Sequence, residues 1–304
     1  EKKKNFHFRM AMVQEVKPDE NLIVTSIGTL HYDFLVLAVG SKTNYFGNQD
    51  LPKTSFPLKQ VPQALDLRSH VLQNFERAVL TTDPQEMEGL MNYVMVGGGP
   101  TGVEMAGAFA ELKKHVLPCD YPELNFKRMQ IYLIEGGPKV LGSMSEKSSK
   151  HALEALAEMG VHVVLNKVVK SYDGETALLS DGSTIRSKTL IWAAGVKGNL
   201  VPGLREESVF KGSRYVVNEH NRVQGYDNIY ALGDMAAHVT DQTPNGLPMV
   251  SPVAMQQGRH LARNLNRLAK GEAPRPFEYF DKGSMATIGR NRAVVDFPNG
   301  MHLK

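Results

Sequence analysis

The sequence predicts an α/β chain built of two Rossmann-like dinucleotide-binding units, the first of them incomplete. Three observations carry this reading. The loop Gly97-Gly98-Gly99-Pro100-Thr101-Gly102 places G-x-G-x-x-G between an apolar strand and a helix. The pattern of residues 13–40 returns at 168–195 without a gap, 28 positions long and offset by 155. Each copy closes in an apolar run ending Ala-x-Gly, at Ala38-Val39-Gly40 and Ala193-Ala194-Gly195.

Size and composition agree. At 304 residues, with 42% hydrophobic and 22% charged residues, the chain reads as an ordinary globular protein of about two domains. The net charge of +3 is too small and too scattered for a nucleic-acid partner. Cys119 is the one cysteine, which excludes an internal disulfide or dithiol pair and suits a reducing compartment. No run of about 18 apolar residues spans a bilayer, and no secretory signal is legible. The uncharged stretch Gln242 to Gly258 is broken by Pro244, Gly246, Pro248 and Pro252. The opening Glu1 and Lys2-Lys3-Lys4 suggest a solvated terminus and an excised piece of a longer chain. HExxH, C-x-x-C, G-x-S-x-G and GK[ST] are all missing, so metal, serine-hydrolase and NTPase readings have no motif behind them.

In chain order, the first copy reads as short strands around the Lys17-Pro18-Asp19 turn, then Leu35 to Val39 as a central parallel strand covered on both faces. Val13/Val168, Glu20/Glu175, Thr29/Thr184, Ala38/Ala193 and Gly40/Gly195 are identical across the repeat. Residues 59–79 suggest a connecting helix through Val61, Leu65, Leu72, Phe75 and Val79, and Asp83-Pro84 starts the approach to the next strand. That strand is Asn92 to Val96. In the loop that follows, Gly97 makes the tight turn, Gly99 lets a pyrophosphate approach the backbone, and Gly102 with Ala106 lets helix and strand pack closely. The helix, expected to run to about Leu117, presents free N–H groups and its dipole to an anion. A glycine-rich helix start without a ligand is the alternative.

Pro118 to Lys127 reads as an insertion with Cys119 a bystander. The strand Met129 to Ile134 ends at Glu135, whose carboxylate can accept hydrogen bonds from an adenine-ribose diol and repels a 2′-phosphate, favouring NADH over NADPH. Its distance of 38 residues from Gly97 exceeds the usual spacing of about 20, and a solvated loop charge is the other reading. Ser143 with Glu146 suggests a capping box for a helix through Leu153, Leu156 and Ala157 that stops at Gly160, followed by a strand at Val161 to Leu165. Asp173-Gly174 and Asp181-Gly182 are hairpin signals of the second copy. Leu190 to Ala194 is its buried strand, with Trp192 in the core. Projected back by 155 positions, the first copy's glycine loop falls before residue 1, so that copy reads as the tail of a dinucleotide domain.

The strand Asn228 to Leu232 delivers Gly233 and Asp234 into a loop, where the acid needs a partner such as a ribityl or ribose hydroxyl or caps the Met235 turn. A helix from about Val253 to Leu268 presents Ala254, Gly258, Leu261, Ala262, Leu265 and Leu268 on one face. Its start, Ala254-Met255-Gln256-Gln257-Gly258, either stabilises negative charge on a neighbouring ring or carries ordinary exposed glutamines.

Together, Gly97 to Glu104, Trp192 to Val196, Tyr230 to Asp234, Ala254 to Gly258 and Asp281-Lys282-Gly283-Ser284-Met285-Ala286-Thr287-Ile288-Gly289-Arg290 resemble type II NADH:quinone oxidoreductases over nearly the whole chain. The first motif is shared by many flavoprotein reductases; the last two are much more specific to this family. The resemblance implies a glutathione-reductase-like FAD/NAD(P)-binding fold with a split FAD domain: residues 1–90 as its first part without the glycine loop, 91–204 as the NADH domain, and 205–304 as its second part with the quinone-side helix. It implies FAD near Ala38, Gly40, Gly233, Asp234 and Ala254, and NADH near Gly97, Gly99, Gly102, Glu135, Ala194 and Gly195. Glu104 is placed near nicotinamide and flavin, with a first-turn helix acid as the alternative. Gln256, Gln257 and Lys282 are placed on the quinone side.

The implied chemistry is hydride transfer from NADH to flavin and two-electron delivery to menaquinone or ubiquinone without proton pumping, with the protein supplying orientation and charge compensation. The family also implies a peripheral enzyme on the cytoplasmic face of the inner (plasma) membrane, attached by C-terminal helices beyond Lys304, and a homodimer; the piece 1–304 is expected to be soluble. Ser251-Pro252 departs from the Ala-Gln of many members. Disulfide reductases and sulfide:quinone reductases need paired cysteines. Rival readings are a ferredoxin-type reductase and a non-catalytic NADH-binding module.

Overall fold

A computed structural model describes residues 5–303; the Lys2–Lys4 run and Lys304 lie outside the described residues. The chain divides into two compact units, Glu1–Lys42 with Val196–Asp281 and Thr43–Gly195 with Lys282–Lys304. This differs from the expected spans. Residues 43–90 and 282–304 fold with the glycine-loop strand, because Phe56–Pro57 adds an edge to its sheet, Val61–Leu80 packs beneath it, and Ala286, Ile288 and Val294 enter its core.

The larger unit is built on a five-stranded parallel sheet in the order Phe56–Pro57, Thr189–Trp192, Asn92–Val96, Gln130–Ile134, Val161–Val164. Side chains alternate across a strand, and the two faces bury different partners. Tyr93, Met95, Ile131, Leu133 and Ile191 meet the helices Val61–Leu80, Pro100–His115 and Glu146–Glu158 through Phe75, Val103, Ala106 and Leu156. Val94, Val96, Ile134, Leu190 and Trp192 meet an antiparallel meander of Val169–Tyr172, Thr176–Leu179 and Thr184–Arg186 through Val169, Tyr172, Ala177 and Leu179. The strand Asn92–Val96, apolar from Tyr93 on, is thereby buried at every position, as two-sided cover requires. A separate antiparallel sheet, Ser284–Thr287, Ala293–Asp296 and His302–Leu303, rides on the glycine-loop helix. A Cβ on Gly107 of that helix would stand 2.4 Å from the Gly289 nitrogen.

The smaller unit holds a meander of Val13–Lys17, Leu22–Thr25 and Gly28–His31, a parallel pair of Leu35–Leu37 with Ile229–Ala231, and a sheet of Val209–Phe210, Arg214–Val217 and Ala236–His238. Val16, Leu35, Leu37, Tyr215, Val217 and Ile229 form its core. The helix Ser251–Leu268 completes it.

The repeat is structural. Val16 faces Ile23 and Lys17 faces Leu22 in the first meander; Ser171 faces Leu178 and Tyr172 faces Ala177 in the second, the same pairs shifted by 155. Both first strands carry a bulge. The third strand sits one residue differently, Leu22 facing His31 but Ala177 facing Ile185. Beyond the meanders, the Asn44 N–H donates to the Gly195 carbonyl and the Asn199 N–H to the Gly40 carbonyl, each at 3.0 Å. These are one bond and its repeat equivalent with the partners exchanged.

Several local expectations are corrected. Leu35–Leu37 pairs with one strand and shows its second face to solvent, with Val36 38% exposed; the buried run of the second copy has neighbours on both sides. The glycine-loop helix ends at His115, and a short separate helix Leu117–Asp120 follows, with Pro118 at its start. Ser145, not Ser143, caps Glu146–Glu158, accepting from the Ser148 N–H, and its own N–H is engaged by Asp296 at 2.6 Å. The last helix begins at Ser251, with Pro252 in its first turn. Its buried face is Val253, Gln257, Leu261 and Asn264, whereas Ala262 is exposed. The apolar stripe misled because two of the inward residues are amides with backbone partners, Gln257 on Gly233 and Asn264 on Arg275.

His70 docks the Val61–Leu80 helix against the sheet, donating from Nε2 to the Lys188 carbonyl at 2.9 Å and packing on Phe56. Burial, aided by the Arg77 charge, holds its imidazole below its ordinary value. The unfolded chain therefore binds more protons than the folded one below about pH 6.5. Stability is expected to fall as pH drops through that value toward the depressed one. Urea unfolding midpoints between pH 7 and 5 measure this, and His70→Gln should flatten the slope.

Candidate functional site

The glycine loop sits where three parallel strands of the larger unit end. Gly97 has φ +107°, and a Cβ there would lie 2.6 Å from Ala194 Cα. A Cβ on Gly102 would lie 1.8 Å from the Gly97 carbonyl oxygen. Only glycines fit these positions, so the turn closes tightly and the helix Pro100–His115 starts directly beside the strand it follows. Gly99, its N-cap residue, has no side-chain cap, and a Cβ there would meet nothing within 4 Å. The sequence thus leaves an uncapped helix N-terminus facing open space, which favours an anion.

Glu135 stands opposite, at the end of the next strand. Its Oε2 accepts the Gly98 N–H at 2.5 Å and its Oε1 the Gly137 N–H at 2.6 Å. These bonds fix the carboxylate at the rim and tie the two loops together, and each oxygen keeps a lone pair for a further donor. A cavity of about 440 Å³ opens here, lined by Gly97, Glu135, Gly136, Gly137, Lys167, Val168, Ala194, Tyr45, Phe46 and Trp192 among others. Its position outside the carboxyl ends of parallel strands is where open α/β sheets take ligands.

Sequence reasoning assigned Trp192 to the core. Trp192 is buried, but it also lines this cavity; its indole N–H donates to the Asn44 carbonyl at 2.9 Å and its ring stacks on Tyr45 at 5.5 Å. Tyr45, Phe46 and Lys167 were not singled out, because nothing in the local spacing around residues 45, 46 and 167 marks them as cavity wall. Gly195 sits at the edge of the same region, its Cβ position 3.4 Å from the Phe46 ring.

The smaller unit gathers a second set. The strand Ile229–Ala231 delivers Gly233 (φ +65°) and Asp234. The Ser41 hydroxyl donates to Asp234 at 2.5 Å. The residue before the Gly233–Met235 turn is Leu232, whose side chain makes no cap. Gln257, fully buried, accepts the Gly233 N–H through Oε1 at 2.8 Å, and its Nε2 has no hydrogen-bond partner. Ala254 abuts Gly233, with 3.0 Å between its Cβ and a Cβ built there. Ala38 and Gly40 follow the Leu35–Leu37 strand, Ala38 exposed and Gly40 at φ +68°. Arg214, buried and pushed down by burial against the pull of Asp234, donates to the Leu247 carbonyl at 2.7 Å and the Asn245 carbonyl at 3.3 Å. It thereby anchors the uncharged 242–252 loop.

The remaining sequence candidates have other contacts. Gln256 clamps the Phe280 backbone, donating to its carbonyl at 2.9 Å and accepting its N–H at 3.0 Å. Glu104 lies on the exposed side of its helix and accepts from the Thr287 hydroxyl and N–H at 3.3 and 3.4 Å. Lys282 is exposed. Among the described residues no cluster of His, Cys, Asp and Glu is arranged to hold a metal.

Residues 2–258 match the profile of the family described as pyridine nucleotide-disulphide oxidoreductase. The chain is 35% identical over 275 residues to the type II NADH:quinone oxidoreductase Ndh of Mycobacterium tuberculosis, covering 87% of this chain and 58% of that protein. It is 29% identical over 302 residues to the type II NADH:quinone oxidoreductase of Staphylococcus aureus, covering 96% and 72%. In fold it is similar to a structure of NDH2 from Plasmodium falciparum in complex with NADH, at TM-score 0.89 and 22% identity, covering 99% of this chain and 78% of that one.

The two glycines with opposite surroundings give a paired expectation. Gly102→Ala is expected to cost about 1–3 kcal/mol or more, since the methyl meets backbone that cannot yield. Gly99→Ala should stay within about 0.5 kcal/mol of the unsubstituted chain. Chemical denaturation of both variants measures the difference.

Proposed function

The chain belongs to the pyridine nucleotide-disulphide oxidoreductase family, and from that premise we propose that it is the main part of an FAD-dependent oxidoreductase that takes a hydride from NADH and passes two electrons to a quinone. The chain spans 58% of the length of the Mycobacterium tuberculosis relative, and the proposal concerns the full-length protein. The observation that carries it is the glycine loop with Glu135 across the crevice. Free helix N–H groups suit a pyrophosphate. A carboxylate pinned by Gly98 and Gly137 suits a ribose diol and disfavours a 2′-phosphate.

The smaller unit supports a place for FAD. Asp234 is steadied by Ser41 and Gly233 by Gln257, and the buried Gln257 amide keeps an unpaired N–H. Asp234 would take a ribityl or ribose hydroxyl, Ala38 to Gly40 would lie beside the cofactor, and the start of the Ser251–Leu268 helix at Ala254 would offset negative charge on its ring. Bound there, FAD supplies the hydride acceptor and the two-electron relay to quinone. The chain's own work is positional. The glycine loop holds the pyrophosphate, Glu135 selects and orients the ribose, and Gln257 keeps the Gly233–Asp234 turn in shape.

Glu104, Gln256, Gln257 and Lys282 remain candidates for the flavin and quinone sides, with Gln257 acting from within through Gly233. Attachment to the cytoplasmic face of the membrane, a homodimer and the absence of proton pumping are part of the same proposal. Among the described residues no helix is long and apolar enough to cross a membrane.

The full-length protein should be yellow, and its visible flavin absorbance should bleach on addition of NADH. A colourless protein that binds NADH without turnover would favour a non-catalytic module. Faster turnover with a one-electron protein acceptor than with a soluble quinone would favour a ferredoxin-type reductase. Glu135→Ala should raise the KM for NADH about tenfold or more, the loss of charge-assisted hydrogen bonds to a ribose, with little change in kcat.

A further inference from the structure

The hairpin turn at Asp181-Gly182, which the fold uses to join two meander strands, reaches back to the crevice. Gly182 takes φ +87°. This turn fixes Asp181, whose Oδ1 accepts the Ser183 N–H at 3.1 Å and the Ser183 hydroxyl at 2.6 Å. Its Oδ2 pairs with the Lys167 ammonium. Lys167 is the only basic side chain among the described residues that line the cavity. Its N–H donates to the Glu135 carbonyl at 3.0 Å, so Lys167 and Glu135 leave neighbouring points of one rim.

We propose that the Lys167–Asp181 pair is a second determinant of coenzyme choice, acting by withholding Lys167 from the ribose end of the crevice. The inference rests on the dinucleotide reading given above. A 2′-phosphate carries about two negative charges near neutral pH and is bound by a free ammonium or guanidinium. At this rim it would meet the Glu135 carboxylate, and the one cation at hand is engaged by an acid locked in a turn. The lysine side chain is 33% exposed and the aspartate 41%, so the pair contributes little to stability. Its donors hold the Asp181 carboxyl well below the usual carboxylate range, with the Lys167 contact the largest cause, and the pair persists across the working pH of an enzyme. Release of Lys167 gives that end of the crevice a mobile positive charge.

The test compares coenzyme affinities in the full-length protein. Equilibrium dialysis with NADH or NADPH in the absence of an electron acceptor reports occupancy without turnover. The quantity read is the ratio of NADPH to NADH affinity. Glu135→Gln alone should raise it by removing repulsion. Adding Asp181→Asn should raise it about tenfold further, the scale of one charge-assisted hydrogen bond, and adding Lys167→Met should abolish that second gain. A ratio unmoved by Asp181→Asn, or a gain that survives Lys167→Met, overturns the inference. Unfolding midpoints of the variants should match those of their parents, which separates a change in coenzyme choice from a damaged fold. If the unsubstituted protein does not bind NADH at all, the underlying dinucleotide reading fails instead.

Discussion

Everything at the site depends on the absence of a side chain at Gly102. A methyl there would stand 1.8 Å from the Gly97 oxygen, inside any contact distance. With hydrogen in its place, the helix can begin within a few residues of the strand and lie directly on it. That closeness leaves the first N–H groups of the helix at the mouth of the crevice rather than inside a longer loop. The same economy recurs on the far side of the helix, where Gly107 admits the Gly289 backbone. The helix is held on two sides by backbone contacts that only glycine allows.

The carboxylate of Glu135 adds a fixed charge to this scaffold. By accepting from Gly98 and Gly137 it joins the two loops at the rim of the crevice, so its charge sits at a fixed point. Charge fixed by backbone donors costs no side-chain entropy when a ligand arrives, which is the general benefit of preorganisation. The aromatic wall of Tyr45, Phe46 and Trp192 supplies the apolar part of the same crevice, in keeping with the mixed lining of small-molecule sites.

The fold was legible wherever periodicity and glycine spacing speak for themselves. The glycine loop, its strand and helix, Glu135 and the two repeat copies all stood in the sequence, and the first two strands of the meanders share the register the repeat implied. What was not legible depends on neighbours. Leu35 to Val39 has the composition of a two-sided strand, yet in this chain it has one partner strand, because the second copy's neighbours have no counterpart among the described residues of the smaller unit. Ser143 and Ser145 are equally good caps by type, and the choice falls to Ser145, whose backbone and hydroxyl meet Asp296 from a strand far along the chain. The inward face of the last helix was misread because Gln257 and Asn264 look like surface residues until their backbone partners are known. The roles of Tyr45, Phe46 and Lys167 arise from tertiary placement that no local motif records.

The central claim is that the crevice between the glycine loop and Glu135 takes NADH, and amide hydrogen exchange reads this at the backbone itself. Adding NADH should slow exchange at the amides of Gly98 to Glu104 and of Gly136 and Gly137, because a bound pyrophosphate and ribose shield them. Unchanged exchange in both segments at saturating NADH, or protection confined to other parts of the chain, would contradict the account.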